Sequence, residues 1–166
     1  MNANSSALTE LARLLADNSI SLDRLTPRPR GNRLPQEEKD RIERALGEID
    51  ASGLSRTDVI YGNGCYVVGR YADAVEAYQG VLRKSPKDTS ARFNVGLTYL
   101  RQRQPSLAVE EFSALLALDP EIPEAWYQRG NAQDDLDENE LALSDYTQAF
   151  LLNPDYLQAY YNRGIL

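Results

Sequence analysis

The sequence predicts an all-α fold, a solenoid of antiparallel helix pairs preceded by N-terminal capping helices. Three observations predict it. Prolines follow apolar helical stretches at Pro86, Pro120 and Pro154, spaced 34 residues apart each time. In the same frame glycine recurs at Gly62, Gly96, Gly130 and Gly164, and alanine at Ala74, Ala108 and Ala142. Aromatic rings recur at Tyr78, Phe112 and Tyr146. A fixed period of this length marks stacked helical units, each unable to bury its apolar face alone.

The frame divides the chain into an N-terminal segment, 1–54, and a repeat domain, 55–166. The repeats run 55–88, 89–122 and 123–156, with a partial fourth over 157–166. Each has a first helix A and a second helix B: 55–68 and 71–84, 89–102 and 105–118, 123–136 and 139–152, then a last helix A from 157. Proline ends each helix B because it cannot donate to the helical ladder and pushes its predecessor out of the helical region. Pro105 sits in the first turn of its helix, where a missing N–H costs nothing. Gly62 is expected to face Ala74, small against small, so that the two backbones approach, with the aromatic column filling the gap between successive pairs. The last helix A reads either as the cap of the solenoid or as the edge of a longer array, and an open C-terminal end would allow self-association.

These columns resemble the tetratricopeptide-repeat pattern, W-x2-L-G-x2-Y, then A-x3-F, then P, over 34 residues. The third repeat supplies Trp126, Gly130, Ala142, Tyr146 and Pro154, and the second Gly96, Tyr99, Ala108, Phe112 and Pro120. The first supplies Gly62, Ala74, Tyr78 and Pro86. Asp58 and Arg92 replace the tryptophan, Arg129 the leucine, and Cys65 and Gln133 the tyrosine.

The resemblance implies a right-handed superhelical solenoid that binds a protein or peptide along a concave groove lined by the A helices. Carried over position by position, the groove residues are Val59, Phe93, Tyr127 and Tyr161, then Ile60, Asn94, Gln128 and Asn162, then Asn63, Leu97 and Asn131. Amides both donate and accept, so this column suits the backbone of an extended peptide while the aromatics receive its side chains. Chaperone-binding relatives hold a terminal carboxylate with basic residues and asparagines. This chain offers Val59 and Asn63, Asn94, and Glu124 and Gln128 at those places, so the basic ones are lost and acidic tails of Hsp70 or Hsp90 are not expected to bind. Glu124, Asp134 and Asp135 instead favour a basic ligand. The expected role is a scaffold in complex assembly; the alternatives are a dedicated bacterial secretion-type chaperone and a non-catalytic interaction domain of a longer enzyme.

In the N-terminal segment, Leu8, Leu11, Leu14 and Leu15 share one helical face, as do Ile42, Ala45, Leu46 and Ile49 in residues 36–52. Both helices read as caps. Between them LTPRPRGNRLP reads as an extended linker, whose Arg24, Arg28, Arg30 and Arg33 are solvated or meet an acidic partner.

Chemistry is sparse. Without histidine the commonest general base and metal ligand are missing, and the single Cys65 has nothing to activate it, so no enzyme, metal or cofactor is expected. Asp134, Asp135, Asp137, Glu138 and Glu140 lack the order and glycine of a calcium loop and read as a solvated turn. The net charge of −7 argues against nucleic acid. Basic and acidic side chains number 8 and 9 over 1–54, 8 and 8 over 55–122, and 2 and 8 over 123–166. No apolar run reaches the ~18 residues of a membrane span, and the N-terminus lacks a signal-peptide pattern. A cytoplasmic location is expected.

Overall fold

The computed structural model describes residues 3–18, 20, 34–52, 58–155, 159, 162 and 164 of the 166. Among the described residues there are eight α-helices and no strand. They are α1 (Ala3–Asp17), α2 (Gln36–Ala51), α3 (Val59–Val68), α4 (Tyr71–Lys84), α5 (Thr89–Arg101), α6 (Pro105–Leu118), α7 (Pro123–Asp134) and α8 (Asn139–Leu152).

The B helices α4, α6 and α8 span the ranges read from the sequence. The A helices close earlier than expected, α5 at Arg101 and α7 at Asp134, because a left-handed residue follows each. Gly69, Arg103 and Asp137 occupy one column of the repeat, at φ of 91°, 58° and 61°. In each case the next N–H returns to the helix: Arg70 to Cys65 O at 2.8 Å, Gln104 to Tyr99 O at 3.0 Å, and Glu138 to Gln133 O at 2.9 Å. The residues on which the pattern starts helix A of the first repeat, 53–57, lie outside the described ones. Asp58 accepts from the Ile60 N–H at 2.7 Å and caps α3 at Val59.

The chain forms two compact units, Met1–Asn94 and Val95–Leu166. In the first, α1 buries Ala7, Leu11, Leu14 and Leu15, and α2 buries Ile42, Ala45, Leu46 and Ile49. Leu8 is half-exposed, and Ala7 takes the inward place expected of it. Both helices seat on α3 at Gly64, where an added Cβ would lie 3.0 Å from Leu11 and 3.2 Å from Leu46. The expected division after residue 54 falls inside this unit. Each fully buried Leu or Ile contributes about 1.5–3 kcal/mol, so the caps cover the first repeat with several such side chains.

A polar anchor fixes α2 to α3 and α4 as well. Tyr61 donates its hydroxyl to Asp50 Oδ1 at 2.7 Å, and Arg70 donates to Asp50 Oδ2 at 3.0 Å and to Asp73 Oδ2 at 2.6 Å. Burial, followed by the bond to Asp50, pushes the Tyr61 phenol above its ordinary pKa. Cys65 lies beside this cluster, fully buried, its thiol pushed up to about 11 by burial.

The glycine column answers first to the aromatic ring of its own repeat, and at Gly130 the expected alanine follows, with the Ala142 carbonyl oxygen 3.3 Å from an added Cβ. A Cβ at Gly96 would lie 2.8 Å from Phe112, one at Gly130 would lie 2.7 Å from Tyr146, and one at Gly62 would collide with Tyr78. Each ring therefore lies flush on the backbone of the preceding helix A. The same glycine-and-ring contact is used in both units.

Candidate functional site

The expected groove residues divide by burial. Asn63 and Asn94 are 0 % exposed, Phe93 1 %, Leu97 3 % and Gln128 4 %, whereas Val59, Ile60, Tyr127, Asn131 and Asn162 are half-exposed. Tyr161 and the four linker arginines, Arg24, Arg28, Arg30 and Arg33, lie outside the described residues.

The buried amides bond to other side chains of the chain itself. In the first unit Asn63 Oδ1 accepts from the Tyr78 hydroxyl at 2.7 Å and from Asn94 Nδ2 at 3.1 Å. A buried polar group left unpaired is costly, so the phenol and the two amides satisfy one another.

In the second unit the same set recurs with more solvent around it. Asn131 Oδ1 accepts from Tyr146 at 3.0 Å and from Asn162 Nδ2 at 3.2 Å. Asn162 Nδ2 also donates to the Tyr127 hydroxyl at 3.3 Å, and Asn131 Nδ2 donates to Gln128 Oε1 at 3.2 Å. The Tyr127 ring leans on Tyr146 with centroids 5.7 Å apart. Glu124, Tyr127, Asn131 and Asp134 fall on one stripe of α7 by helical spacing, and Asp135, its C-cap, continues that stripe. Burial first, and then the charges of Asp134 and Asp135, raise the pKa of Tyr146.

The departures from the repeat pattern have local explanations. Trp126 donates Nε1–H to Pro120 O at 2.8 Å, and Arg92, one repeat earlier, donates Nη2–H to Pro86 O at 3.1 Å. The arginine thus replaces the hydrogen bond of the indole. Arg129 stands in the leucine column and meets a buried carboxylate across the helix pair, Asp145, through two bonds of 2.6 and 2.8 Å. It also donates to Ser113 at 3.1 Å and lies 4.8 Å from the Trp126 ring centroid. Gln133 is buried in the tyrosine column, and its Oε1 has no hydrogen-bond partner among the described residues.

Sequence reasoning missed the hydroxyls of Tyr78 and Tyr146, and the Arg129–Asp145 pair. A signal existed for the first: Asn63, Leu97 and Asn131 alternate in step with Tyr78, Phe112 and Tyr146. Among the described residues no group of three or more His, Cys, Asp or Glu could hold a metal ion. No described helix is long and apolar enough to cross a membrane.

Comparison with known proteins agrees with this geometry. The tetratricopeptide-repeat family model matches over residues 66–121 and 96–146. No curated protein matches the sequence. Among solved structures, MamA is 31 % identical over 63 % of this chain and 61 % of that one, with a TM-score of 0.61. The second TPR domain of human RPAP3, in complex with the HSP70 peptide SGPTIEEVD, is 25 % identical over 63 % and 87 % of the two chains, with a TM-score of 0.60. A MamA RS-1 ArsTM double mutant covers 99 % of this chain and 84 % of its own at a TM-score of 0.71 and 21 % identity, a likeness of fold alone. Residues 66–146 of this all-α chain carry tetratricopeptide repeats.

Proposed function

We propose that the chain is a non-catalytic adaptor for protein–protein interaction in complex assembly, taking an extended peptide or a segment of a partner on the A-helix face of its repeats. The supporting observation is the half-exposed set Tyr127, Asn131 and Asn162, which joins an aromatic surface to amides able to read a peptide backbone. A peptide is also the ligand of the related RPAP3 domain. Val59 and Ile60 in the first unit, and Tyr161 by its place in the repeat, are proposed as further ligand-facing positions. Asn63, Phe93 and Asn94 in the first unit, and Leu97 and Gln128 in the second, are buried and hold the helices of their own unit in place.

The acidic ligand of that relative does not transfer. The positions that would need cations hold Val59, Glu124 and Gln128, and Asn63 and Asn94 are sealed in the interior. A terminal carboxylate would find no charged donor there.

The test is site-specific photocrosslinking in extract of the source cells. A benzophenone amino acid replaces Tyr127 on α7 in one sample and the exposed Glu76 on α4 in another. A defined partner trapped from position 127 and not from 76 is the expected result. No adduct from 127, or the same adducts from both, would count against the reading.

A further inference from the structure

The charge of the chain is divided unequally between its two units. Met1–Asn94 holds 14 basic and 13 acidic side chains, whereas Val95–Leu166 holds 4 and 12. The α7 helix has a single cation, Arg129, and that guanidinium is drawn away by the carboxylate of Asp145, itself 3 % exposed. What remains along the groove stripe of α7 is a half-exposed tyrosine, an amide and three acids, of which Asp134 and Asp135 are exposed. Asp134 lies three residues beyond Asn131 on the helix and Asp135 four, so helical spacing puts both carboxylates on the side of the amide cluster.

The hydrogen-bond arithmetic of that cluster leaves room for a ligand. A primary amide has two protons to give. Asn162 gives Nδ2–H to Tyr127 and to Asn131 and is half-exposed. Asn131 gives one proton to Gln128 and retains a second. In the first unit the equivalent amides, Asn63 and Asn94, have no exposed surface at all.

We infer that this face of α7 binds an extended peptide through a lysine or arginine side chain, seated on the Tyr127 ring and held by Asp134 and Asp135, with Asn162 and Asn131 reading the peptide backbone. The inference rests on the adaptor reading and narrows it to the second unit and to a cationic ligand. The physics suits such a ligand: a cation over a tyrosine face is attracted by the ring, and opposite charge speeds encounter. Because the carboxylates are exposed, added salt weakens the complex.

A random nonapeptide library displayed on phage tests it, selected on the whole chain and on three variants. Tyr127→Ala removes the platform, and the pair Asp134→Asn and Asp135→Asn removes the anionic rim. The pair Glu138→Gln and Glu140→Gln removes the same charge from the N-cap and first turn of α8, off the stripe. Circular dichroism confirms that each variant remains helical. The expected result is enrichment of lysine- or arginine-containing peptides on the unaltered chain and on the α8 pair, reduced at least ten-fold on the other two. Basic peptides enriched equally on all four would overturn the face. Enrichment of neutral or acidic peptides would overturn the cation preference and leave the adaptor reading standing. No enrichment on any of them would overturn both.

Discussion

The phenol of Tyr78 donates to Asn63 Oδ1 at 2.7 Å, with both side chains fully buried. One repeat later the same two places hold Phe112 and Leu97, and one repeat further the bond returns between Tyr146 and Asn131 at 3.0 Å. Hydroxyl and acceptor are present together or absent together, because either alone would be a buried polar group without a partner. Moving the polar pair into the middle repeat makes this measurable. Phe112→Tyr and Leu97→Asn should each destabilise by about 1–3 kcal/mol, and the double variant should recover about 1–2 kcal/mol of their sum. Strict additivity in a urea-denaturation cycle would refute the pairing rule.

Glycine tolerance should follow the ring contacts. Gly96→Ala drives a methyl to within 2.8 Å of Phe112 and should cost about 1–3 kcal/mol, although alanine is the better helix former. Gly47→Ala, exposed on α2 with nothing within 4 Å, should stabilise by about 0.5–1 kcal/mol. Thermal melts that moved both variants in one direction would contradict this.

The closing turns of the A helices should respond in the opposite sense. Arg103 holds a left-handed conformation at φ 58° that costs an L residue about 1–2 kcal/mol. Arg103→Gly should therefore raise the denaturation midpoint, while Gly69→Ala at φ 91° should lower it.

Removing half of the buried ion pair should be worse than removing all of it. Arg129→Leu restores the residue of the repeat pattern but strands Asp145, at a cost of about 3–5 kcal/mol. Adding Asp145→Ala to it should return a large part of the loss. A double variant less stable than Arg129→Leu would show that the carboxylate has other work.

Alkaline pH should weaken the first unit through Cys65. Burial pushes its folded thiol up to about 11, above the ordinary thiol range, so the unfolded chain ionises first. The stabilisation is complete below the unfolded value and is lost as pH climbs through the folded one. Urea midpoints followed across that window should fall more steeply for the unaltered chain than for Cys65→Ala. At neutral pH the folded chain should leave Ellman's reagent unreacted, and rapid labelling without unfolding would contradict the burial.

The helix pairs were legible because their markers are steric. Gly62, Gly96 and Gly130 must admit a ring, and Pro86, Pro120 and Pro154 cannot continue a helix, so both leave a periodic trace whatever the surface does. The ends of the A helices were less legible because only Gly69 advertises the left-handed turn, while Arg103 and Asp137 adopt it at a cost. The candidate site was least legible. Whether Asn63 faces water or Tyr78 is decided by a side chain on another helix, and a position in a repeat records the direction of a residue without recording what lies opposite it.

The backbone motif of this chain returns every 34 positions, but its internal hydrogen-bonding key returns only from Asn63, Tyr78 and Asn94 to Asn131, Tyr146 and Asn162, 68 positions on. Because each hydroxyl and its acceptor lie within one repeat, a deletion of residues 89–122 keeps Tyr78 with Asn63 and Tyr146 with Asn131. A deletion of the same length cut between the helices of a pair, 71–104, would set Asn63 against Phe112. The unit of inheritance that this array can lose without stranding a polar group is therefore the helix pair, cut at its prolines.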